Sequence, residues 1–422
     1  MKEFVLVCFI ITYVLLLTFP RYRWMIAASV AIMLIAIQIV PIDTLLDAID
    51  FNVLLLITGS MGIVALFIES KMPLLLADHI LRHTSNAKWA IISMALFAGI
   101  ISAFIDNVAT VLMIAPIALS VAKKLKVNPV PFVIAIAVSS NLQGAATLVG
   151  DTTSILLGGY AKMNFLDFFF FHGKPSIFWF VQAGALTSLV VLMVLFKKYD
   201  QKVTFDHIQK VEDYFPSILL LLMIGSLILA SVLRIDFEYT NGTICMVVLL
   251  IGLIRNMIAK KRIKSIMSTL KEIDHHTILL LGSLFVIIAA ITNVGIIDDI
   301  SLILERWTKD DPFMAFTLIV WSSVVISAFI DNIPYVATML PVVSMLSVKM
   351  GIDPTLLYFG LLTGATLGGN LSPIGASANI AGIGILKKQG FHVTLKDFAT
   401  IGIPFTLMAV STSYILIWLI WS

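Results

Sequence analysis

Two carboxylates stand in stretches that otherwise read as hydrocarbon-embedded helix. Asp106 sits in Ser102-Ala103-Phe104-Ile105-Asp106-Asn107 and Asp331 in Ser327-Ala328-Phe329-Ile330-Asp331-Asn332. A charge near the bilayer centre costs roughly 2.5–3.5 kcal/mol on insertion scales. An ionised Asp there needs a bound cation, a helix N-terminus or a proton. No Lys or Arg stands between Lys88 and Lys123, or between Lys309 and Lys349, so neither tip has a basic neighbour in sequence. Each Asp-Asn pair also precedes a second apolar block and is placed to cap its free N–H groups. Ser or Thr would cap at lower insertion cost, so the residue type points further, to cation or proton binding. The expected Na⁺ ligands are Asp106, Asn107, Asp331 and Asn332, with Thr110 one helical turn into the first block.

Two more stretches carry polar chemistry inside apolar surroundings. Residues 139–154 read SSNLQGAATLVGDTTS and residues 363–379 read TGATLGGNLSPIGASAN. Unwound backbone at membrane depth is tolerated only where it is buried in protein or lines a cavity, and there freed carbonyls and half-helix termini bind ions. Asp151 is a third embedded carboxylate, and its partner in the second stretch is Ala376. Proton coupling at one half only is therefore expected. Asn141, Thr147, Thr152, Asn370, Ser372, Ser377 and Asn379 supply neutral oxygens for the site.

Enzyme chemistry is excluded on motifs. Gly150-Asp151 has the form of an intramembrane aspartyl protease half-site, but the Tyr199-Asp200 that would complete it lies in a charged loop. The chain holds no His-Glu-x-x-His, Gly-x-Ser-x-Gly or Walker-type Gly-Lys-Ser/Thr motif. His275-His276 beside Asp274 reads as an interface pair rather than a metal site. Cys8 and Cys245 both fall in apolar segments, as packing residues and not a disulfide framework.

The elements that must hold these residues follow from composition. Of 422 residues 59% are hydrophobic and 13% charged, with mean hydropathy +1.03. A soluble domain carries roughly 25% charge. Apolar blocks of roughly 20 residues match the bilayer core, so the fold class is an all-α polytopic membrane protein. The basic residues are scattered over short loops, and no nucleic-acid partner is expected. Blocks at 4–20 and 24–40 read as spans, the first retained rather than cleaved, because it lacks an Ala-x-Ala site. The pairs 89–104/108–122 and 313–330/335–348 have too few residues between them for a surface loop. They read as re-entrant hairpins, 89–122 and 313–348, and the segments 130–161 and 355–386 as broken helices.

The two halves repeat. Besides the six-residue identity, Pro116 matches Pro341, Pro129 matches Pro354, Gly144 matches Gly369 and Gly150 matches Gly375, all in one register. The first repeat is 1–197, a cytoplasmic linker 198–213 follows, and the second repeat is 214–422. Five crossings per repeat, an odd number, make the second inverted, the arrangement of secondary transporters. Most of the 28 Lys and Arg residues fall on one side of this topology, Arg21, Arg23, Lys126, Lys261 and Arg262 among them. By the positive-inside rule that side is cytoplasmic and both termini face outside, at the plasma (inner) membrane. Phe165–Phe171 and Phe391–Phe398 are expected as interfacial amphipathic helices against membrane lipid.

Three stretches carry a family resemblance: Ser102 to Pro116; Gly144 to Leu156 (GAATLVGDTTSIL); and Gly364 to Ala381 (GATLGGNLSPIGASANIA), preceded by Ser327 to Pro341. In these the chain resembles the ion transporter superfamily, and within it the arsenite permease, NhaD-type sodium–proton antiporter and melanocyte P-protein group, which is citrate-transporter-like. The resemblance implies inverted repeats, two hairpins, a homodimer held by a scaffold domain and elevator-like movement. Related divalent-anion symporters carry Ser-Asn-Thr at each tip, where this chain has Asp-Asn. That departure favours exchange of Na⁺ or Li⁺ for H⁺, with these ions as the only cofactors. Arsenite or antimonite efflux is the alternative, then uptake of an oxyanion or dicarboxylate. A channel is disfavoured by two hairpins that enter from opposite sides.

Overall fold

A computed structural model describes residues 1–125, 127–202, 210–211, 213–235, 237–260 and 263–422. Lys126, Lys261, Arg262 and positions 203–209 and 212 of the expected linker lie outside the described residues. In chain order the first helices are α1 (Lys2–Thr18), α2 (Arg23–Ala36), α3 (Leu45–Ala48), α4 (Phe51–Glu69) and α5 (Met72–Arg82). Then come α6 (Ala87–Ser102), α7 (Asn107–Leu125), α8 (Val130–Gly144), α9 (Thr152–Tyr160) and α10 (Ile177–Leu195). The second half holds α11 (Phe215–Val232), α12 (Thr240–Lys260), α13 (Ile263–Glu272), α14 (His275–Asn293) and α15 (Ile296–Thr308). It closes with α16 (Pro312–Ser327), α17 (Asn332–Met350), α18 (Pro354–Leu362), α19 (Ser377–Lys388) and α20 (Leu395–Trp421).

Among the described residues, 8 of these helices are long and apolar enough to cross a membrane, or up to 10 spans when each of two bent pairs counts as one. The chain is a nearly all-helical polytopic membrane protein. The blocks at 4–20 and 24–40, expected as two spans, form α1 and α2, a pair turned through 115° that is long and apolar enough for a span only when the two are taken together. Pro20 causes the turn: it offers no N–H to continue the ladder and drives Phe19 out of the helical region, to φ −124° and ψ 68°.

Asp and Asn side chains cap several of the helices. Asp50 accepts from Val53 N at 3.0 Å, Asn86 from Trp89 N at 3.0 Å and Asp274 from Thr277 N at 3.1 Å. Each satisfies a first-turn backbone donor that the helix itself leaves unpaired. Every residue of α8 except Pro131 is buried, and α6, α7, α10, α19 and α20 pack around it. The outer layers pair α4 with α12 and α2 with α14.

The two aromatic stretches are not amphipathic helices. Residues 165–171 form one 3₁₀ turn and the first strand of a small hairpin, Phe170–Phe171 against Lys174–Pro175. His172 and Gly173 turn it with positive φ, the backbone a tight hairpin requires. Phe165 and Phe168 are fully buried, so the stretch plugs the bundle end instead of lying flat on lipid. Residues 391–394 form no helix. Thr394 caps α20, exchanging hydrogen bonds with Asp397 in a capping box.

Local contacts recur at the sequence offset. α6 and α16 begin and end at matching positions, as do α7 and α17. The Thr147 hydroxyl donates to the Ala103 carbonyl, and the Ser372 hydroxyl to the Ala328 carbonyl. Gly150 lies against the Ser102 and Ala103 carbonyls, Gly375 against those of Ser327 and Ala328. In both, a Cβ would stand 2.6–2.9 Å from carbonyl oxygens, so only glycine lets the break approach the hairpin. Thr187 and Thr412, 225 residues apart, touch hydroxyl to hydroxyl at 2.9 Å.

Candidate functional site

Each Asp-Asn break is capped by its own carboxylate. Asp106 accepts from Ala109 N at 3.0 Å at the start of α7, and Asp331 from Ile333 N at 3.1 Å at the start of α17. The Asn residues that follow reach inward. Asn107 Nδ2 donates to Asn141 Oδ1 at 3.0 Å, and the Ser140 hydroxyl donates to the Asn107 carbonyl at 3.1 Å.

From Asn141 the network crosses to the second half. Its Nδ2 donates to the Thr366 carbonyl at 2.7 Å and to Asn370 Oδ1 at 3.2 Å, while Asn370 Nδ2 donates to the Val138 carbonyl at 2.9 Å. Asn141 and Thr366 are repeat partners, 225 residues apart. Side-chain amides thus satisfy carbonyls freed where the helices break. Breaks in lipid-embedded helices require such partners.

Asp151 closes the network. It accepts from Thr152 N at 2.8 Å, capping α9, and from the Thr153 hydroxyl at 2.7 Å. The Asn332 amide donates at 3.5 Å to Oδ2, the same oxygen that accepts from Thr153, and the Thr153 and Thr366 hydroxyls stand 2.8 Å apart. Three donors therefore converge on one buried carboxylate, which is how an embedded charge is made tolerable. Ala376, its repeat partner, begins α19 with no side-chain cap.

These groups form the floor of a cavity of about 710 Å³. Asp106, Asn107, Asp151, Thr152, Asn332 and Ser377 line it, and exposed Glu69, Glu272 and Asp274 stand at its mouth. Five carboxylates face this space, and no described Lys or Arg lines it. Among the described residues no cluster of three or more His, Cys, Asp or Glu could hold a metal ion. Suitable ligands for a hard cation are oxygens, charged or neutral. Thr110 Oγ1 and Asn379 Oδ1 are fully buried and have no hydrogen-bond partner. Ser102 Oγ is also unpartnered, whereas the hydroxyl of its repeat mate Ser327 donates to the Ala365 carbonyl at 2.5 Å. Buried oxygens with spare lone pairs are uncommon and call for an explanation.

The sequence-derived residues thus divide. Asp106, Asn107, Asp151, Thr152, Asn332 and Ser377 come together on the cavity wall, with Asn141 and Asn370 behind them. Thr147 and Ser372 tie the breaks to the hairpin carbonyls, and the Asn379 amide bonds the Gly369 and Ser372 carbonyls, both at 3.1 Å. Asp331 is different. Arg23, at the start of α2, pairs with it, and the Ser377 hydroxyl donates to it at 3.3 Å. Neither tip has a basic neighbour in sequence, yet the fold brings one to Asp331 from 308 positions away in the chain. Thr153, Thr366 and Arg23 were missed. The repeat register pairs Thr366 with Asn141 and could have found it, whereas no sequence signal marks Arg23 apart from other loop charges.

The sequence profile described as citrate transporter (CitMHS) matches residues 13–364 and 262–422. An uncharacterised transporter of Mycobacterium tuberculosis is 29% identical over 432 residues, covering 97% of this chain and 96% of that one. The P protein of Mus musculus is 27% identical over 449 residues, covering 87% of this chain and 54% of that protein. Two solved structures share the fold. The YdaH transporter of Alcanivorax borkumensis superimposes with TM-score 0.62 at 12% identity, covering 89% of this chain and 86% of its own. MtrF of Neisseria gonorrhoeae, described among antimetabolite efflux pumps, gives TM-score 0.57 at 13% identity, covering 92% and 83%.

Proposed function

The chain belongs to the citrate transporter family and is a secondary transporter of that kind; from this premise we propose that it exchanges Na⁺ or Li⁺ for H⁺. The observation that carries the reading is the sign of the cavity. Asp106, Asp151, Glu272 and Asp274 face it and no described Lys or Arg lines it, so its potential favours cations over anions. A free tricarboxylate such as citrate would enter against that field. Asp106 and Asp151, at the floor, are the groups that alternate between proton and cation. Their neutral neighbours Asn107, Thr110, Thr152, Asn332 and Asn379 complete the oxygen shell. Protonation and cation binding each remove one buried negative charge, so each substitutes for the other. That mutual exclusion is what couples the two fluxes.

Alternating access by an elevator-like movement fits the contacts that recur between halves. The same reading has the halves inverted, both termini outside, and a homodimer in the plasma membrane. The test uses everted vesicles with an imposed acid-inside pH gradient, read with a pH dye. Addition of Na⁺ or Li⁺ collapses the gradient in wild type and not in Asp106→Asn. K⁺, arsenite and citrate leave it standing. Collapse by arsenite or citrate, with no response to Na⁺ or Li⁺, would reject cation–proton exchange.

A further inference from the structure

One ion pair is set apart by its depth. Among the described residues the Arg23 and Asp331 side chains are 16% and 8% exposed, against 45% and 53% for Lys2 and Asp299. Arg23 is held from behind as well, its Nε donating to the Leu16 carbonyl in the last turn of α1 at 3.2 Å. Higher on α1, the Tyr13 hydroxyl donates to the Pro334 carbonyl at 2.7 Å and meets the Thr338 hydroxyl. The bent pair α1–α2 therefore grips the second hairpin at its tip and along α17. The first hairpin has no counterpart: among the described residues no Lys or Arg pairs with Asp106. At the repeat offset Arg23 matches Val248. The cavity reaches Asp106, Asp151 and Asn332, while Asp331 lies off its wall.

We propose that Arg23 is a positioning residue, a tethered counter-ion that locks the second hairpin to α1–α2 in the cavity-open arrangement and parts from Asp331 in each transport cycle. The proposal rests on the alternating-access reading given above. Its physical basis is the cost of separating desolvated charges. Removing one partner of a buried ion pair leaves the other uncompensated. The lock therefore opens only when a proton or a transported cation takes the place of Arg23 at Asp331. The Tyr13 bonds are neutral and weaker, and they follow the ion pair. A purely structural bridge would stay closed throughout the cycle.

The test reads conformation directly. Val108→Cys on the first turn of α7 lines the cavity and reports its access, in a background with Cys8→Ala and Cys245→Ala. A membrane-impermeant thiol reagent is added to right-side-out and everted vesicles, and the faster side is the one onto which the cavity opens. Arg23→Gln lowers that labelling rate about tenfold or more, the population shift of roughly 1.4 kcal/mol. Arg23→Lys, which keeps the charge, retains most of it. An unchanged rate in Arg23→Gln overturns the proposal. Separately, in a background that keeps Val108 and lacks Cys8 and Cys245, Tyr13→Cys/Thr338→Cys bridged by a thiosulfonate linker stops transport, and a reductant restores it. Full exchange with the bridge closed also overturns it. Labelling needs no substrate, so absence of Na⁺–H⁺ exchange in the unbridged background counts against the functional reading alone.

Discussion

Replacing Asp151 by Asn separates two roles that this side chain combines. As a cap, it accepts from Thr152 N at 2.8 Å, and Asn caps about as well as Asp. The Thr153 hydroxyl, 2.7 Å away, loses a charged acceptor but keeps Thr366 at 2.8 Å. Nearby Asn332, at 3.5 Å, would face an amide where it faced a carboxylate. The structural loss is then about one hydrogen bond, roughly 0.5–1.5 kcal/mol. Ala376 supports a small figure, since α19 forms at the equivalent position with no side-chain cap. As a titrating group, by contrast, Asn has nothing to exchange. Asp151→Asn should unfold within a few degrees of wild type in detergent while Na⁺- or Li⁺-driven proton flux in everted vesicles falls to the empty-vesicle level. Near-wild-type flux would refute the assignment of the coupling proton to Asp151. Loss of flux together with a collapse in thermal stability would show that the residue is structural.

Three further outcomes follow from the same geometry. Glu69→Gln/Glu272→Gln/Asp274→Asn should raise the KM for Na⁺ and leave the maximal rate unchanged, with the difference shrinking at high ionic strength because exposed mouth charges are screened within about 10 Å at 0.1 M salt. Gly150→Ala and Gly375→Ala should each destabilise by at least about 1–3 kcal/mol, since the new Cβ meets carbonyl oxygens at 2.6–2.9 Å; a thermal melt with either variant at the wild-type midpoint would contradict this. Burial raises the pKa of Asp50, at the mouth of α4 and outside the span, above its usual 3.8, against the pull of the Val53 and Asn52 N–H groups. A carboxyl whose folded pKa is raised binds its proton more tightly when folded, so its contribution falls as pH rises through the window above 3.8. Asp50→Asn, which keeps the cap, should therefore raise the melting temperature at neutral pH, and the gain should vanish near pH 4.

Much of this arrangement was legible in the chain because membrane constraint and repetition both act locally. An Asp between apolar runs, or a glycine-rich break in one, is readable without tertiary knowledge. The repeat then turns single observations into pairs, and Gly150 and Gly375 indeed meet equivalent carbonyls. What escaped depends on distant packing. Arg23 reads as a loop charge until α2 lies beside α14 and brings it to Asp331. The Phe165–Phe171 stretch has the composition of a lipid-facing helix, yet His172-Gly173 turns the chain back and buries Phe165 and Phe168. Helices α5 and α15, just ahead of the two hairpins, went unread because their charged residues interrupt the apolar runs.

The asymmetry between the two halves bears on how a repeated protein can couple unlike ions. A symmetric pair of sites would present two equivalent carboxylates, each needing its own counter-ion, and both would fill together. Here the tip motif is identical, but the charges around it are not. In the cavity-open arrangement Asp331 is paired with Arg23, a counter-ion tethered to the chain, whereas Asp106 and Asp151 face a cavity lined by acid groups. Asp151 has Ala376 as its counterpart, so the second half lacks that carboxylate as well. Both differences act in the same direction: they leave net negative charge for an exchangeable ion on one side of the repeat and neutralise it on the other. On the cation-exchange reading proposed above, the fold supplies two copies of the cradle, and three side chains, Arg23, Asp151 and Ala376, set them apart in charge.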